Sequence, residues 1–177
     1  IVEKTAFAEE QGELLVEGII DQSGKFVRLD HPRVQVVEDV PEFVVVAADE
    51  AEGGQAITFT EDDIANLLKT KGAILAAMKV LVEGLGMSFT DLHHIHVAGG
   101  FGAHLDIDQA ICIGLLPDIP RERIRFIGNS SLAGARYALL STHAYQKAEG
   151  IAKQMTYFEL SVQPQFMDEF VAALFLP

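Results

Sequence analysis

The stretch Ile95-His96-Val97-Ala98-Gly99-Gly100-Phe101-Gly102-Ala103-His104-Leu105-Asp106 decides how this chain of 177 residues is read. It opens as an alternating apolar run, the pattern of a short buried strand, and then places glycine at 99, 100 and 102. Asp106, followed at the capping spacing by Gln109, predicts a helix from Ile107 to Ile113, ended by Gly114 and Pro117. A strand that turns through glycines into a helix start suits a phosphate. Glycine lets the backbone come close to the ligand, and the free N–H groups of a helix start favour an anion.

The same arrangement recurs once. Ile124-Arg125-Phe126-Ile127 reads as a strand, and Gly128-Asn129-Ser130-Ser131 turns into a helix rich in small residues, Ala133, Gly134, Ala135 and Ala138, running to about Lys147. In open α/β sheets ligands sit beyond the carboxyl ends of the parallel strands. Gly99-Gly100 and Gly128-Asn129 are therefore expected to face one crevice.

Upstream lies a long helix. Thr60 is a good N-cap with Asp63 at the capping-box position, the stripe Ile64, Leu67, Leu68, Ile74, Leu75, Met78, Leu81, Val82 and Leu85 has helical spacing, and Gly86 ends it. Lys71 falls near the middle of that stripe and is followed by Gly72. Two readings stand: a stem that snorkels to solvent, or a lysine aimed at an anion with Gly72 leaving room. Lys69 falls off the stripe, as a surface charge.

Working back to the start, residues 7–19 read as a helix ended by the turn cluster Asp21-Gln22-Ser23-Gly24. Three antiparallel strands follow near 33–38, 42–48 and 56–59, with Pro32 and Pro41 breaking the runs. Phe26 to Leu29 leaves a fourth open, and the continuous run Phe43 to Ala47 reads as a central strand buried on both faces. Beyond Lys147 a strand is expected over 156–160 and a last helix over 165–174. The fold class is α/β: a mixed sheet in the order β-β-β-α-β-α-β-α with helices on both faces, the order of ribonuclease H-like domains. The division is a helical lead-in over 1–24 and one domain over 25–177.

Composition narrows the function. Hydrophobic residues make up 49% and charged residues 22%, an ordinary globular balance. The formal net charge of -13 argues against general affinity for nucleic acid or an anionic membrane. It also means that a bound nucleotide needs local neutralisation by backbone dipoles, a lysine or Mg²⁺. Cys112 is the sole cysteine, so this chain cannot build a disulfide, a zinc site or an iron–sulfur cluster from cysteine, and it fits a reducing cytoplasm. No signal peptide or membrane span is visible, and a start at Ile1 suggests a piece of something longer.

Several motifs fail. Counted from Gly100, a dinucleotide fingerprint needs glycine where Leu105 stands, and no Lys-Ser/Thr follows the glycines as a P-loop requires. Gly128-Asn129-Ser130-Ser131-Leu132 nearly matches a serine elbow, but Leu132 replaces its last glycine and the later His143 is expected on the same helix. A hydrolase using Ser130 is a remote alternative; Asn129 or Ser130 reads better as a helix cap. His93, His94, His96 and His104 invite a metal, yet His93 points away from the face that His94 and His96 share. No metal site and no catalytic residue is assigned. His104, directly after the glycine turn, is kept as a ligand contact.

From Ile57 onward the sequence resembles the C-terminal part of the reductive activators of corrinoid proteins, large iron–sulfur proteins of anaerobic methyl-transfer metabolism. The residues that carry the resemblance are Lys71-Gly72-Ala73-Ile74, Val97-Ala98-Gly99-Gly100-Phe101-Gly102, Ile113-Gly114-Leu115-Leu116-Pro117 and Gly128-Asn129-Ser130-Ser131-Leu132-Ala133-Gly134-Ala135-Arg136, with the tail from Phe158 to Phe175. The resemblance implies half of an ATPase domain similar to the sugar kinase, actin and heat-shock chaperone ATPases. In such a half, Gly99, Gly100, Phe101 and Gly102 lie at the nucleotide, Lys71 on the helix flanking the adenosine, and Gly128 and Asn129 on the other side. It further implies ATP with Mg²⁺ as cofactor, a cluster held outside this chain, and a corrinoid protein as partner of the full-length chain. The superfamily's first phosphate loop is missing, so the fragment alone is expected to be inactive. The competing reading is a non-catalytic partner-docking or dimerisation module, with a homodimer as one form of it, using the apolar stretch Phe170 to Leu176.

Overall fold

In the computed structural model the described residues are 14–100 and 105–177. Strand β1 (Val34–Val37) turns back into β2 (Val40–Val46) through Glu38 and Asp39, at φ 51° and 65°. Both central residues of a tight hairpin turn of this hand need positive φ. β3 (Ile57–Thr60) pairs on the far side of β2, so the antiparallel order is β1-β2-β3, and β2 is central as expected. It is half-buried rather than buried on both faces: Phe43 is enclosed and the others are partly or fully open. Pro41 does not break the run, and stands inside β2 opposite Val36. The pair next to the turn is hydrogen-bonded, so the following pair is not, and the proline nitrogen points past the last β3 pair at Glu42–Thr60.

Helix α1 (Glu61–Gly84) begins with the predicted box: Thr60 accepts from the Asp63 amide while Asp63 accepts from the Thr60 amide. Gly86, at φ 69°, follows its end. The buried face is Ile64, Leu68, Lys71, Gly72, Ala76 and Val80, whereas Ile74, Leu81 and Leu85 are exposed. The face turns toward small residues because the C-terminal segment crosses it closely. A Cβ on Gly72 would stand 3.0 Å from the Ala173 carbonyl oxygen. That segment is helix α5 (Pro164–Ala172), joined to α1 by a 2.7 Å Lys79–Glu169 ion pair, and a tail whose Leu176 lies in the core. In Phe170 to Leu176, Leu176 is buried and Phe170, Ala173 and Leu174 are half-buried against this chain, while Val171 and Phe175 stay exposed.

The second half of the chain holds β4 (Ile95–Ala98), α2 (Ile107–Cys112), β5 (Ile124–Gly128), α3 (Ser130–Leu140) and α4 (Thr142–Ala152). β4 and β5 pair in parallel, Ile95 against Ile124. The element order is as read, but among the described residues the strands form two hydrogen-bonded sheets, one antiparallel and one parallel, where a single mixed sheet was expected. β4 is half-buried and alternating, with Ile95 and Val97 turned inward. The helix expected to reach Lys147 breaks at Ser141, whose backbone is extended and whose hydroxyl accepts from the Ala144 amide to start α4. Residues 156–160 form no strand; Glu159 accepts from Tyr157 and Ser161 side chains and from the Ser161 amide. Such local acceptors favour turns over strand pairing.

Two apolar clusters organise the packing. The larger joins Phe43, Phe59, Ile64, Leu68 and Ile113 with Leu14, Ile19, Ile20 and Leu176; the smaller joins Ala110, Leu116, Ile119 and Ile124. Residues on both sides of 24/25 share the larger cluster. Of the helix expected over 7–19, residues 7–13 lie outside the described residues. Its described part ends at Val16, and Gly18 turns at φ 66° before Ile20 bridges Phe26, the lone pairing of the 26–29 segment.

Candidate functional site

The two glycine turns meet. The ladder slips by one residue between Val97 and Ala98, so Ala98 stands opposite Gly128, and the Gly99 amide donates to the Gly128 carbonyl at 2.8 Å. Gly99 at φ 101° and Gly128 at φ 64° take backbone conformations that other residues rarely adopt. Gly100 differs. Its backbone is not left-handed, and a Cβ placed on it meets nothing within 4 Å. Nothing in the described residues explains why position 100 is glycine. Added Cβ atoms at Gly99 and Gly128 also meet open space. The carboxyl end of the parallel pair therefore exposes bare backbone that a ligand can approach closely.

Asn129 is the cap of α3, its side-chain oxygen accepting from the Leu132 amide at 3.0 Å. That bears out the capping reading. Ser130 is the first residue of α3 and His143 lies on α4, a separate helix, with no hydrogen bond between them among the described residues.

Lys71 lies in the buried face where the stripe put it, with a partner the sequence did not foresee. It is 1% exposed, and its ammonium donates to the Phe175 carbonyl at 2.5 Å, beside Gly114 and the tail. Burial lowers its pKa to about 8. The snorkelling reading does not hold, since the stem does not reach solvent, and one of the three ammonium donors goes to this chain's own tail. Phe101, Gly102 and His104 lie outside the described residues.

His94, just before β4, and His96 within it have ring centroids 6.0 Å apart. Partial desolvation, then the charges of Arg125, His96, His93 and Arg123, hold the His94 imidazole below its usual pKa. Among the described residues no three His, Cys, Asp or Glu side chains gather as a metal site.

Sequence reading missed a groove of about 530 Å³ along α3, lined by Asn129, Leu132, Ala133, Arg136, Tyr137 and Leu140. Its signal was available: the helix carries apolar residues on several sides at once. The small residues 133–135, expected to pack close to a sheet, are exposed, and a Cβ on Gly134 meets nothing. Among the described residues no helix is long and apolar enough to cross a membrane.

Comparison with known proteins places this geometry. A family model described as the C-terminal domain of RACo, the ASKHA domain, matches residues 9–177. The corrinoid activation enzyme RamQ of Eubacterium limosum is 34% identical over 166 residues, covering 89% of this chain and 28% of that protein. The Co(II) methylated amine-specific corrinoid protein reductase of Methanosarcina barkeri is 34% identical over 103 residues, 58% of this chain and 19% of that protein. A solved reductive activator for a corrinoid, iron–sulfur protein superposes with a TM-score of 0.90 at 44% identity, covering 97% of this chain and 27% of that one. The chain spans less than a third of the length of each of these relatives.

Proposed function

Because this chain belongs to the family of RACo C-terminal ASKHA domains, we propose that it supplies one ATP-binding half of a reductive activator of a corrinoid protein. The open glycine turns form one wall of the ATP crevice, with Gly99, Gly100, Gly128 and Asn129 at the nucleotide. Phe101, Gly102 and His104, which follow Gly100 in the chain, complete that wall. The meeting of the two glycine turns carries the reading: Gly99 and Gly128 join at the carboxyl end of the parallel pair, where open α/β sheets bind ligands.

The turns fit a phosphate-bearing nucleotide because they admit close approach, and α3 begins beside them. They bring no cation. With Lys71 bonded to Phe175, the charge of the phosphates on a chain of net charge -13 falls to backbone dipoles and to Mg²⁺ carried with ATP. ATP hydrolysis, when nucleotide is bound, supplies the free energy that accompanies reduction of the corrinoid. The part of this chain is to hold and orient the nucleotide. The electron-carrying cluster and the other wall belong to the longer polypeptide, in a cytoplasmic setting, and the 177 residues alone are inactive.

The test is an ATP–Mg²⁺ titration of the natural polypeptide that carries this chain, with Gly100→Leu as the variant. Space and φ allow leucine, so the variant folds with an unchanged thermal midpoint and loses roughly tenfold or more in affinity, as expected when a side chain fills a ligand's place. Unchanged affinity removes the turn from the site.

A further inference from the structure

α3 has no buried residue. Leu132, Tyr137, Leu139 and Leu140 all project into solvent, Leu139 at 88% exposure. A helix that is apolar on most sides belongs in an interior, and a contiguous apolar surface of this kind marks a contact. α4 packs beside it without burying any of it. Between Leu132, Tyr137 and Leu140 runs the groove of about 530 Å³, with Arg136 on its wall. Among the described residues the Arg136 guanidinium has neither a hydrogen bond nor an ion pair.

We propose that this groove seats a segment of the same polypeptide lying outside these 177 residues, an apolar element that sets a carboxylate against Arg136. Three observations choose that occupant. The chain accounts for only 28%, 19% and 27% of the three relatives it matches, so each relative has ample further chain. The groove starts at Asn129, directly after the Gly128 turn, and is continuous with the candidate crevice. A second copy is the poorer fit: α3 reads SSLAGARYALL, and its self-pairing brings Arg136 toward Arg136 with no acid on either helix. The inference stands apart from the nucleotide reading, since the contact forms with or without ATP.

Hydroxyl-radical footprinting of the natural polypeptide, read peptide by peptide without added partner or nucleotide, tests it. Tyr137 and Leu140 are expected to oxidise at least roughly tenfold more slowly than in the urea-unfolded polypeptide, because a contact core excludes water. That protection is expected to be the same at micromolar and nanomolar concentration. Oxidation near the unfolded rate overturns the proposal. So does protection that fades on dilution, which assigns the groove to a second copy, or protection that needs an added corrinoid protein. Arg136→Glu, which keeps a good helix former in place, is expected to lower the thermal midpoint of the natural polypeptide. An unchanged midpoint overturns the acidic half of the proposal.

Discussion

The β1–β3 sheet with α1 and α5 and the β4–β5 pair with α3 and α4 are apolar in similar proportion, and they finish differently. In the first, Phe43, Phe59, Ile64, Leu68 and Leu176 close on one another. In the second, Ile124 is buried on one face of the parallel pair, but Ile127, Leu132, Tyr137 and Leu140 stay open. Parallel strands are normally covered on both faces, and a two-stranded sheet has little stability alone. The difference separates a part stabilised from within from a part shaped for something laid against it, and the glycine turns lie in the second.

The largest test of that contrast is truncation of one side chain in each region. Ile64→Ala, at 0% exposure, is expected to lower unfolding free energy by about 2–5 kcal/mol in urea titration of this chain. Leu139→Ala is expected to change it by less than about 0.5 kcal/mol. Equal losses break the comparison.

Lys71 gives the next effect. Its folded pKa is lowered from 10.5 to about 8, so the unfolded chain binds more protons between those values and stability rises with pH across that window. Below about pH 8 the cost of the buried charge is fully present. A pH series should show a rise of about 1–3 kcal/mol that Lys71→Met abolishes. A variant with the same pH profile as the parent places the burial elsewhere.

Gly99→Ala and Gly128→Ala each force a left-handed backbone on alanine and should cost about 1–2 kcal/mol, while Gly100→Ala is near neutral. Thermal melts of the three separate glycines held by geometry from the one left for a ligand. The smallest effects sharpen the contrast by showing none of it. Thr60→Ala and Asn129→Ala remove helix caps from the closed and open regions and should cost about 1 kcal/mol each. A cap acts on its own helix whatever covers it.

What was legible in the sequence was local or repeated. Thr60 with Asp63, Asp106 with Gln109, and Gly86 announce helix ends because their hydrogen bonds span only a few residues. The meeting of Gly99 with Gly128 was legible because two β-α units in succession put their turns at one end of a parallel pair. The first part of the buried face of α1, Ile64, Leu68 and Lys71, was legible from periodicity; its turn onto Gly72, Ala76 and Val80 was not, since it is fixed by a segment far along the chain. The same distance hid the partner of Lys71: periodicity located a buried lysine and could not say that a carbonyl of residue 175 would receive it. The break at Ser141 was missed because apolar residues on both sides continue the helical spacing, while the cap interrupts it through one backbone conformation.

Leu176 donates its amide to Gln22 and sinks its side chain among Ile19, Ile20 and Ile64. During synthesis this imposes an order. β1–β3 and α1 are made before Leu176, and their core lacks a member until that residue arrives. Until then Phe43, Phe59 and Ile64 have one side open, so this part of the molecule closes only through a contact between residues far apart in the chain.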